Sequence, residues 1–315
     1  QRQMCIRDRD SVDHGLVIKD DAGNEWVWVP VEASVLSSMY VTSNDGIALS
    51  GDVGVTTKMY TNSVTIGRTG DTTTISRSTP NTTDYREPDL APDYDKNESY
   101  YKTILGYDSP KAMAEAFTAD YANMIASIEK YGGFYIGRYE LSNEGVQKEK
   151  ATLTNKNWYE LYKKCTTLNA SEKVESRMIW GIQWDLVCDF ISKKGEQKSI
   201  TNSTSWGNYG HSTENAAVMD GTTQKYGSDQ VTGYSEYWKA NNIYDLAGNC
   251  YEWTQEASSS GSRSYRGGHY NYDGGNFPVS SRAVANAGGT GSEIRNSSGF
   301  DSRINVGRVN DSLLE

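Results

Sequence analysis

Residues 242–282 constrain the fold of this chain more than any other part of the sequence. Residues 245–253 read DLAGNCYEW, which has the pattern D-x-x-G-N-x-x-E-W, and YRGG follows at 265–268. A glycine such as Gly248 permits the unusual backbone torsion of a tight loop. Paired glycines such as Gly267 and Gly268 allow a sharp bend where the chain leaves a strand. Gly267 and Gly268 therefore predict a bend at the end of a strand.

This order and spacing resembles the C-terminal half of the formylglycine-generating enzyme (sulfatase-modifying factor) family, whose fold is a variant of the C-type lectin fold. The string FYIGRYE at 134–140 is similar to an early core strand of that family. The resemblance implies a loop-rich α+β domain of the formylglycine-generating-enzyme and C-type-lectin type over residues 15–309. It also implies a large insertion at 43–108 and a tail at 310–315.

The chemistry of that family needs two cysteines just after the arginine and paired glycines. Here residues 269–275 read HYNYDGG, and residues 251–315 contain no cysteine. Oxidation of a substrate thiol at that place requires thiolate ligation of a metal. We therefore expect a non-catalytic ligand-binding protein. Two alternatives remain open, which are a formylglycine-generating-type oxidase or related modifying enzyme and a structural surface or phage-tail module.

The resemblance also implies a structural Ca²⁺ ion in the D-x-x-G-N-x-x-E-W loop. Its ligands would be the side chains of Asp245 and Glu252 and the carbonyl groups of Gly248 and Cys250. Calcium prefers such oxygen ligands in a tight loop. In the alternative interpretation no metal is bound, because Asp245 caps a turn and Glu252 accepts hydrogen bonds from the backbone.

The composition of residues 258–303 indicates a recognition surface. This segment contains no Lys, Gln, Met, Trp or Cys and is rich in Ser, Gly, Asn and Tyr, as antibody loops are. It resembles the C-terminal variable region of proteins diversified by retroelements, in which adenine-directed mutagenesis of Asn codons yields this set of residues. Glu293 cannot arise in that way and would have to be fixed. An ordinary surface loop rich in Gly and Ser is the alternative.

The alternation of residues 269–273 suggests which side chains would contact a ligand. On an extended segment Tyr270 and Tyr272 share one face. If both tyrosines pack inward, the residues exposed for ligand binding are His269, Asn271, Asp273, Asn276 and Phe277.

The charge balance bounds the kind of partner. The 315 residues include 31 Lys and Arg but 41 Asp and Glu, which gives a net charge of -10. No basic field is available to bind a phosphate backbone, and no apolar run approaches the length of a membrane span. We therefore expect an unknown protein or surface ligand as the partner, with no nucleic acid and no membrane span.

The opening residues QRQMCIRDR resemble a translated sequencing-adapter remnant from assembled metagenomic, bacterial DNA. We therefore expect residues 1–14 to be an artefactual or disordered leader and the native N-terminus to be missing. The compartment stays open, with the cell surface and a phage particle as candidates.

The supply of histidine and cysteine restricts other chemistry. The only histidines are His14, His211 and His269, which argues against a facial iron triad of the non-haem type. Apart from Cys5, the cysteines have no close pair of the kind that binds zinc. We expect them to be small buried apolar residues.

Local patterns predict the following elements. Strands are expected at 17–19 and 25–29 as a hairpin, at 59–66, at 134–140 and at 304–309. Helices are expected at 109–131, 157–165 and 184–193. Residues 43–98 are expected to form loops and short hairpins, and residues 194–240 long loops.

Overall fold

The computed structural model describes residues 5–6, 11–43, 57–60, 63–76, 87, 98–168, 174–210, 218–220, 223–225, 229–257, 262–288, 300–302 and 304–308. Helices and sheets are mixed, as the α+β prediction requires. The α-helices are α1 (Ala33–Met39), α2 (Pro110–Tyr131), α3 (Trp158–Thr167) and α4 (Gly181–Lys193). Shorter helical turns occupy Val12–His14, Ser99–Ile104 and Glu236–Trp238. Among the described helices, none is both long and apolar enough to cross a bilayer.

The strands are short and numerous. In chain order they are β1 (Cys5–Ile6), β2 (Val17–Lys19), β3 (Glu25–Pro30), β4 (Tyr40–Ser43), β5 (Thr57–Tyr60), β6 (Ser63–Arg68), β7 (Asp71–Ser76), β8 (Gly133–Gly137), β9 (Val174–Met178), β10 (Val218–Asp220), β11 (Thr223–Lys225), β12 (Lys239–Ala240), β13 (Ile243–Tyr244), β14 (Tyr251–Ala257), β15 (Ser262–Arg266), β16 (Arg282–Asn286), β17 (Phe300–Ser302) and β18 (Ile304–Arg308).

A six-stranded sheet with the order β1-β2-β3-β8-β18-β9 forms the larger layer. The predicted hairpin is confirmed, since β2 pairs with β3 through the partners Val17 and Val27. The strand predicted at 304–309 is also confirmed, because β18 lies between β8 and β9 in the sheet. Val27 and Val29 are fully buried, so this face of β3 contributes to the core.

The second sheet has the order β16-β15-β14-β17, and its two central strands contain the end of the D-x-x-G-N-x-x-E-W pattern and the start of YRGG. Every residue of β14 is buried. Glu252 in β14 pairs with Arg266 in β15, and Trp253 pairs with Tyr265. This register brings the D-x-x-G-N-x-x-E-W loop and the bend after Arg266 to the same end of the sheet.

The three predicted helices are present, and their ends have clear physical causes. Helix α2 begins after Ser109, whose hydroxyl accepts from the amide of Ala112 at 3.1 Å, and it ends at Gly132 with a φ of 71°. Such caps satisfy amides and carbonyls that have no partner within the helix. Helix α3 begins with a capping box between Asn157 and Glu160.

Two of the predicted boundaries differ from the structure by three residues. Helix α4 begins at Gly181, three residues before Trp184, because the carboxylate of Glu87 accepts from the amides of Gly181 and Ile182 at 2.5 and 2.8 Å. The strand predicted at 134–140 ends at Gly137. Its last residue, Glu140, instead turns into the interior to meet the 245–250 loop.

Residues 43–98 contain short hairpins where they are described, as predicted. The single strand expected at 59–66 is two strands, β5 and β6, and the positions between them lie outside the described residues. The β6–β7 hairpin lies against α4, where the amide of Gly67 donates to Asp189 at 3.0 Å. The predicted tail at 310–315 also lies outside the described residues.

Candidate functional site

The 245–250 loop is buried and is organised by a carboxylate from another part of the chain. Glu140, which is fully buried, accepts from the side-chain amide of Asn249 at 2.6 Å, from the Thr152 hydroxyl at 2.9 Å and from the amide of Cys250 at 3.3 Å. A buried charge is tolerated only when hydrogen bonds of this kind compensate for lost water. Glu140 was not predicted as a site residue, although it ends the FYIGRYE string.

Asp245 and Gly248 fix the backbone of this loop. Asp245 adopts a φ of 58°, and its carboxylate accepts from the amide of Gly233 at 2.7 Å. Gly248 has a φ of 77°, and a Cβ atom at this position would lie 2.0 Å from the carbonyl oxygen of Asn208. No side chain fits there, so the loop conformation requires glycine.

The implied calcium ligands lie on this loop and the start of β14. The side chains of Asp245 and Glu252 are fully buried. Among the described residues there is no group of three or more His, Cys, Asp or Glu side chains that could hold a metal. The implied ligand set has only two such side chains, and its other ligands are the backbone carbonyls of Gly248 and Cys250. Calcium binding by this set therefore stays a prediction.

The bend after β15 is sharp, as predicted. Gly267 and Gly268 have φ angles of 88° and 83°. A Cβ atom on Gly267 would lie 2.2 Å from a carboxylate oxygen of Glu252, and one on Gly268 would lie 2.4 Å from the carbonyl oxygen of Phe277. Both positions need glycine, because the backbone passes too close to its neighbours for any side chain.

Residues 269–277 follow this bend, and we call them the presenting turn. Hydrogen bonds tie its backbone to three other segments of the chain. They join the Tyr270 amide to the Asn249 carbonyl at 3.0 Å, the Ser203 amide to the Gly274 carbonyl at 2.9 Å, the Gly210 amide to the Tyr272 carbonyl at 3.1 Å, and the Tyr209 hydroxyl to the Phe277 carbonyl at 3.0 Å. The backbone of the turn is thereby fixed from several sides.

The side chains of the presenting turn are much less constrained than its backbone. Asn271 and Asn276 are exposed, and their side chains make no hydrogen bond within the described part of the chain. Asp273 is half-buried and accepts from the amide of Gly275 at 2.6 Å. Phe277 is also half-buried and lies 4.7 Å from the ring of Tyr272. Four of the five predicted ligand-contact residues therefore reach solvent.

His269 is the fifth of these residues, and it does not reach solvent, so its predicted exposure was wrong. Only 1% of this residue is exposed. Its ring centroid lies 3.9 Å from that of Tyr270 and 5.4 Å from that of Tyr251, and Nδ1 accepts from the amide of Asn271 at 3.2 Å. Burial lowers the pKa of the imidazole to about 4.

His269 is buried because of the backbone geometry after the bend. The prediction assumed an extended segment with strict alternation, but the chain turns at His269, whose carbonyl accepts from the amide of Tyr272 at 3.0 Å. Such a turn places His269 against β14 and leaves both Tyr270 and Tyr272 half-buried. The two tyrosines are therefore not fully inward as expected.

Arg266 stabilises the site by joining separate segments of the chain through hydrogen bonds. It is fully buried, and its guanidinium donates to Asp185 at 2.6 Å and to the carbonyl of Ser281 at 2.8 Å. Arg282 donates to the same Asp185 and to Glu256, each at 2.8 Å. Planar guanidinium groups suit such shared, directional pairing. This network joins α4 to the segment that follows the presenting turn.

The cysteines play a packing role, as predicted. Cys165, Cys188 and Cys250 form no disulfide bonds and are fully buried. Burial raises the pKa of the Cys188 thiol well above its ordinary value, which keeps it as the poorly nucleophilic thiol.

No known protein family matches the sequence, and no curated protein matches it. Two solved structures are similar to it at low sequence identity. CarF is 14% identical over 56% of this chain and 87% of its own length, with a TM-score of 0.37. Variable protein 1 of Treponema denticola is 15% identical over 91% of this chain and 96% of its own, with a TM-score of 0.32. Likeness at these TM-scores establishes neither the fold nor the function.

Proposed function

We propose that this protein is a non-catalytic recognition protein that binds a protein or surface ligand through the presenting turn. The observation that carries the proposal is the contrast between backbone and side chains in that turn. Its backbone is tied to three other segments, whereas the exposed side chains of Asn271 and Asn276 make no hydrogen bond within the described residues. A fixed backbone lowers the ordering cost of binding.

The chemistry of the turn suits contact with another macromolecule. Residues 267–281 contain amide, hydroxyl and aromatic side chains and one carboxylate, Asp273, but no Lys or Arg. Amides and hydroxyls adapt their hydrogen bonds to a partner, and rings such as that of Phe277 provide contact area at low entropic cost. With a net charge of -10, this surface is unsuited to a polyanion.

We include a specific fold in the same proposal. The C-type-lectin variant found in formylglycine-generating enzymes is supported by the buried 245–250 loop and by the glycine bend at 267–268. In this proposal the protein keeps the scaffold and has lost the cysteine pair. Calcium on Asp245 and Glu252 is part of the proposal as a structural ion.

Binding is tested with a matched pair of variants. Purified wild-type protein, immobilised as bait, is compared with Asn271→Ala/Asn276→Ala and with Asn123→Ala/Asn143→Ala, whose altered residues are also exposed but lie far along the chain. We expect the first variant to lose a partner that wild type and the control retain. Retention of every wild-type partner by the first variant would contradict the proposal.

Diversification of the surface is tested separately, by sequencing this locus from many cells. We expect variation to concentrate at the codons for Asn271, Asp273 and Asn276, with constant codons for Gly267 and Gly268. We also expect a near-copy of the 258–303 coding segment beside a reverse-transcriptase gene. Variation spread evenly over these five codons would exclude a diversified surface.

A further inference from the structure

The loop at residues 199–206 lies beside the presenting turn and is joined to it and to the segment after it. The amide of Ser203 donates to the carbonyl of Gly274 at 2.9 Å, and the Ser203 hydroxyl accepts from the amide of Val279 at 3.0 Å. The Ser280 hydroxyl donates to the carbonyl of Ile200 at 2.6 Å. These bonds fix the loop and the turn relative to each other.

The loop also presents its own polar surface next to the turn. Asn202 is exposed, and a Cβ atom on Gly275 would lie 3.7 Å from its side-chain nitrogen. Asn202 therefore neighbours the tip of the presenting turn, although it lies outside the polar 258–303 segment. Residues 199–206 contain no charged side chain, so they extend the neutral, hydrogen-bonding character of the turn.

One carboxylate from the insertion holds this loop in place. Asp71, at the start of β7, is 8% exposed and accepts from the amide of Ile200 at 2.9 Å, from the Ser199 hydroxyl at 3.1 Å and from the amide of Thr201 at 3.2 Å. The Thr201 hydroxyl also donates to it. Burial raises the pKa of Asp71, but these hydrogen bonds outweigh burial and lower it below its ordinary value, so the group is an anion.

The hairpin that carries Asp71 is itself attached to the core. Besides the hydrogen bond from Gly67 to Asp189 on α4, a Cβ atom on Gly67 would lie 2.8 Å from the end of the Ile200 side chain. Helix α4, the β6–β7 hairpin, the 199–206 loop and the presenting turn therefore form one connected structure. The path runs through described hydrogen bonds at each step.

We infer that the interaction surface is composite, with the 199–206 loop and the presenting turn contacting one partner and Asp71 positioning both. The inference rests on the proposed recognition function. The combined surface offers the amides of Asn202, Asn271 and Asn276, aromatic rings and the single carboxylate of Asp273. Such a surface fits the neutral polar groups of a protein surface.

Positioning is tested without any partner, by amide hydrogen exchange of wild type and Asp71→Asn. The asparagine keeps the size of the side chain but turns an NH₂ group towards donors. We expect exchange to accelerate at least fivefold in both 199–206 and 270–279, because exchange follows local opening. Unchanged exchange in 270–279 would overturn the inference.

Asp20 supplies a matched control, because its carboxylate also accepts from backbone amides at a turn, those of Ala22 and Asn24. Asp20→Asn should leave exchange in 199–206 and 270–279 at the wild-type rate. If Asp71→Asn does not fold, Thr201→Val removes one donor to Asp71 and should accelerate the same two segments by a smaller factor. Equal acceleration in the Asp20 control would mean a general loss of stability and would also overturn the inference.

The composite surface is tested with Asn202→Ala against a partner that wild type captures. We expect at least fivefold weaker binding, and unchanged binding would remove the loop from the surface. The two proposals fail separately. A partner that ignores changes at 271 and 276 contradicts the proposed function, whereas exchange that ignores Asp71 contradicts only the positioning.

Discussion

The hydroxyl of Tyr209 donates to the carbonyl of Phe277, with 3.0 Å between the two oxygens. The same hydroxyl lies 2.8 Å from the carbonyl oxygen of Gly267. Tyr209 is fully buried, and burial raises its pKa well above the ordinary value, so the hydroxyl keeps its proton. One side chain therefore links the bend before the presenting turn to the last residue of the turn.

Replacing Tyr209 with Phe should destabilise the protein by about 1–3 kcal/mol, because the carbonyl of Phe277 loses its donor while the ring stays in place. Denaturant unfolding measures this change in the free energy of unfolding. Tyr237→Phe is the control, because Tyr237 is 59% exposed and its hydroxyl makes no hydrogen bond within the described residues. Equal, small effects at both positions would show that Tyr209 does not hold the turn.

The sequence predicted the regular elements well where local chemistry decides them. Ser109 and Gly132 delimit α2 through their own capping, and alternation of Val27 and Val29 defines the inner face of β3. The start of α4 was missed because it depends on Glu87, which lies 94 residues away along the chain. A carboxylate so far away leaves no local signal in the sequence, and the local sign of this helix start is Gln183, whose side chain accepts from the amide of Trp180 at 3.1 Å.

Purified protein should not convert a cysteine-containing sulfatase peptide to formylglycine, with or without added copper. Residues 251–315 contain no cysteine, and Cys165, Cys188 and Cys250 are fully buried. Mass spectrometry of the peptide detects the conversion. Turnover clearly above a control without protein would contradict the recognition proposal and favour the enzymatic alternative.

The proposed calcium ion predicts that a chelator lowers the melting temperature and that excess Ca²⁺ restores it, because ligand binding stabilises the folded state by mass action. Thermal unfolding of wild type and Glu252→Gln measures both effects. The variant should melt at a lower temperature and show no response to Ca²⁺. If the wild-type curve is the same with chelator and with Ca²⁺, Asp245 and Glu252 serve the fold through hydrogen bonds alone.

His269 should make stability depend on pH. Its pKa is lowered to about 4 in the folded protein, whereas an unfolded histidine titrates near 6.5. The neutral ring therefore stabilises the fold fully above about pH 6.5, and this contribution is lost as the pH falls towards 4. Because a tenfold difference in proton affinity between the folded and unfolded states corresponds to about 1.4 kcal/mol, the loss is about 3–4 kcal/mol at most.

The measurement is the free energy of unfolding from pH 7.5 to 4 for wild type and for His269→Phe. Other groups titrate in both proteins, so the difference between the two curves isolates His269. We expect the free energy of unfolding of wild type to fall steadily relative to that of His269→Phe below pH 6.5. A difference that stays constant over the whole range would mean that the ring is not held as a neutral, buried group.

The sequence was sufficient to predict the glycine positions of the candidate site. It was not sufficient to predict which side chains point inward. Gly248, Gly267 and Gly268 were recognised from their spacing, and each is a position that admits no side chain. The burial of His269 was missed, because alternation holds on a strand and fails on a turn. Glu140 was missed because its role depends on a contact with Asn249, which is 109 residues away along the chain.

The presenting turn combines a fixed backbone with exposed side chains that tolerate substitution. A saturation scan of residues 265–279, sorted by protease resistance, tests this most directly. We expect most substitutions to survive at Asn271 and Asn276, within about 0.5 kcal/mol of wild type as is usual for surfaces. Substitutions at Gly267 and Gly268 should be rejected. Equal intolerance at all four positions would show that the turn is part of the core and would contradict the account.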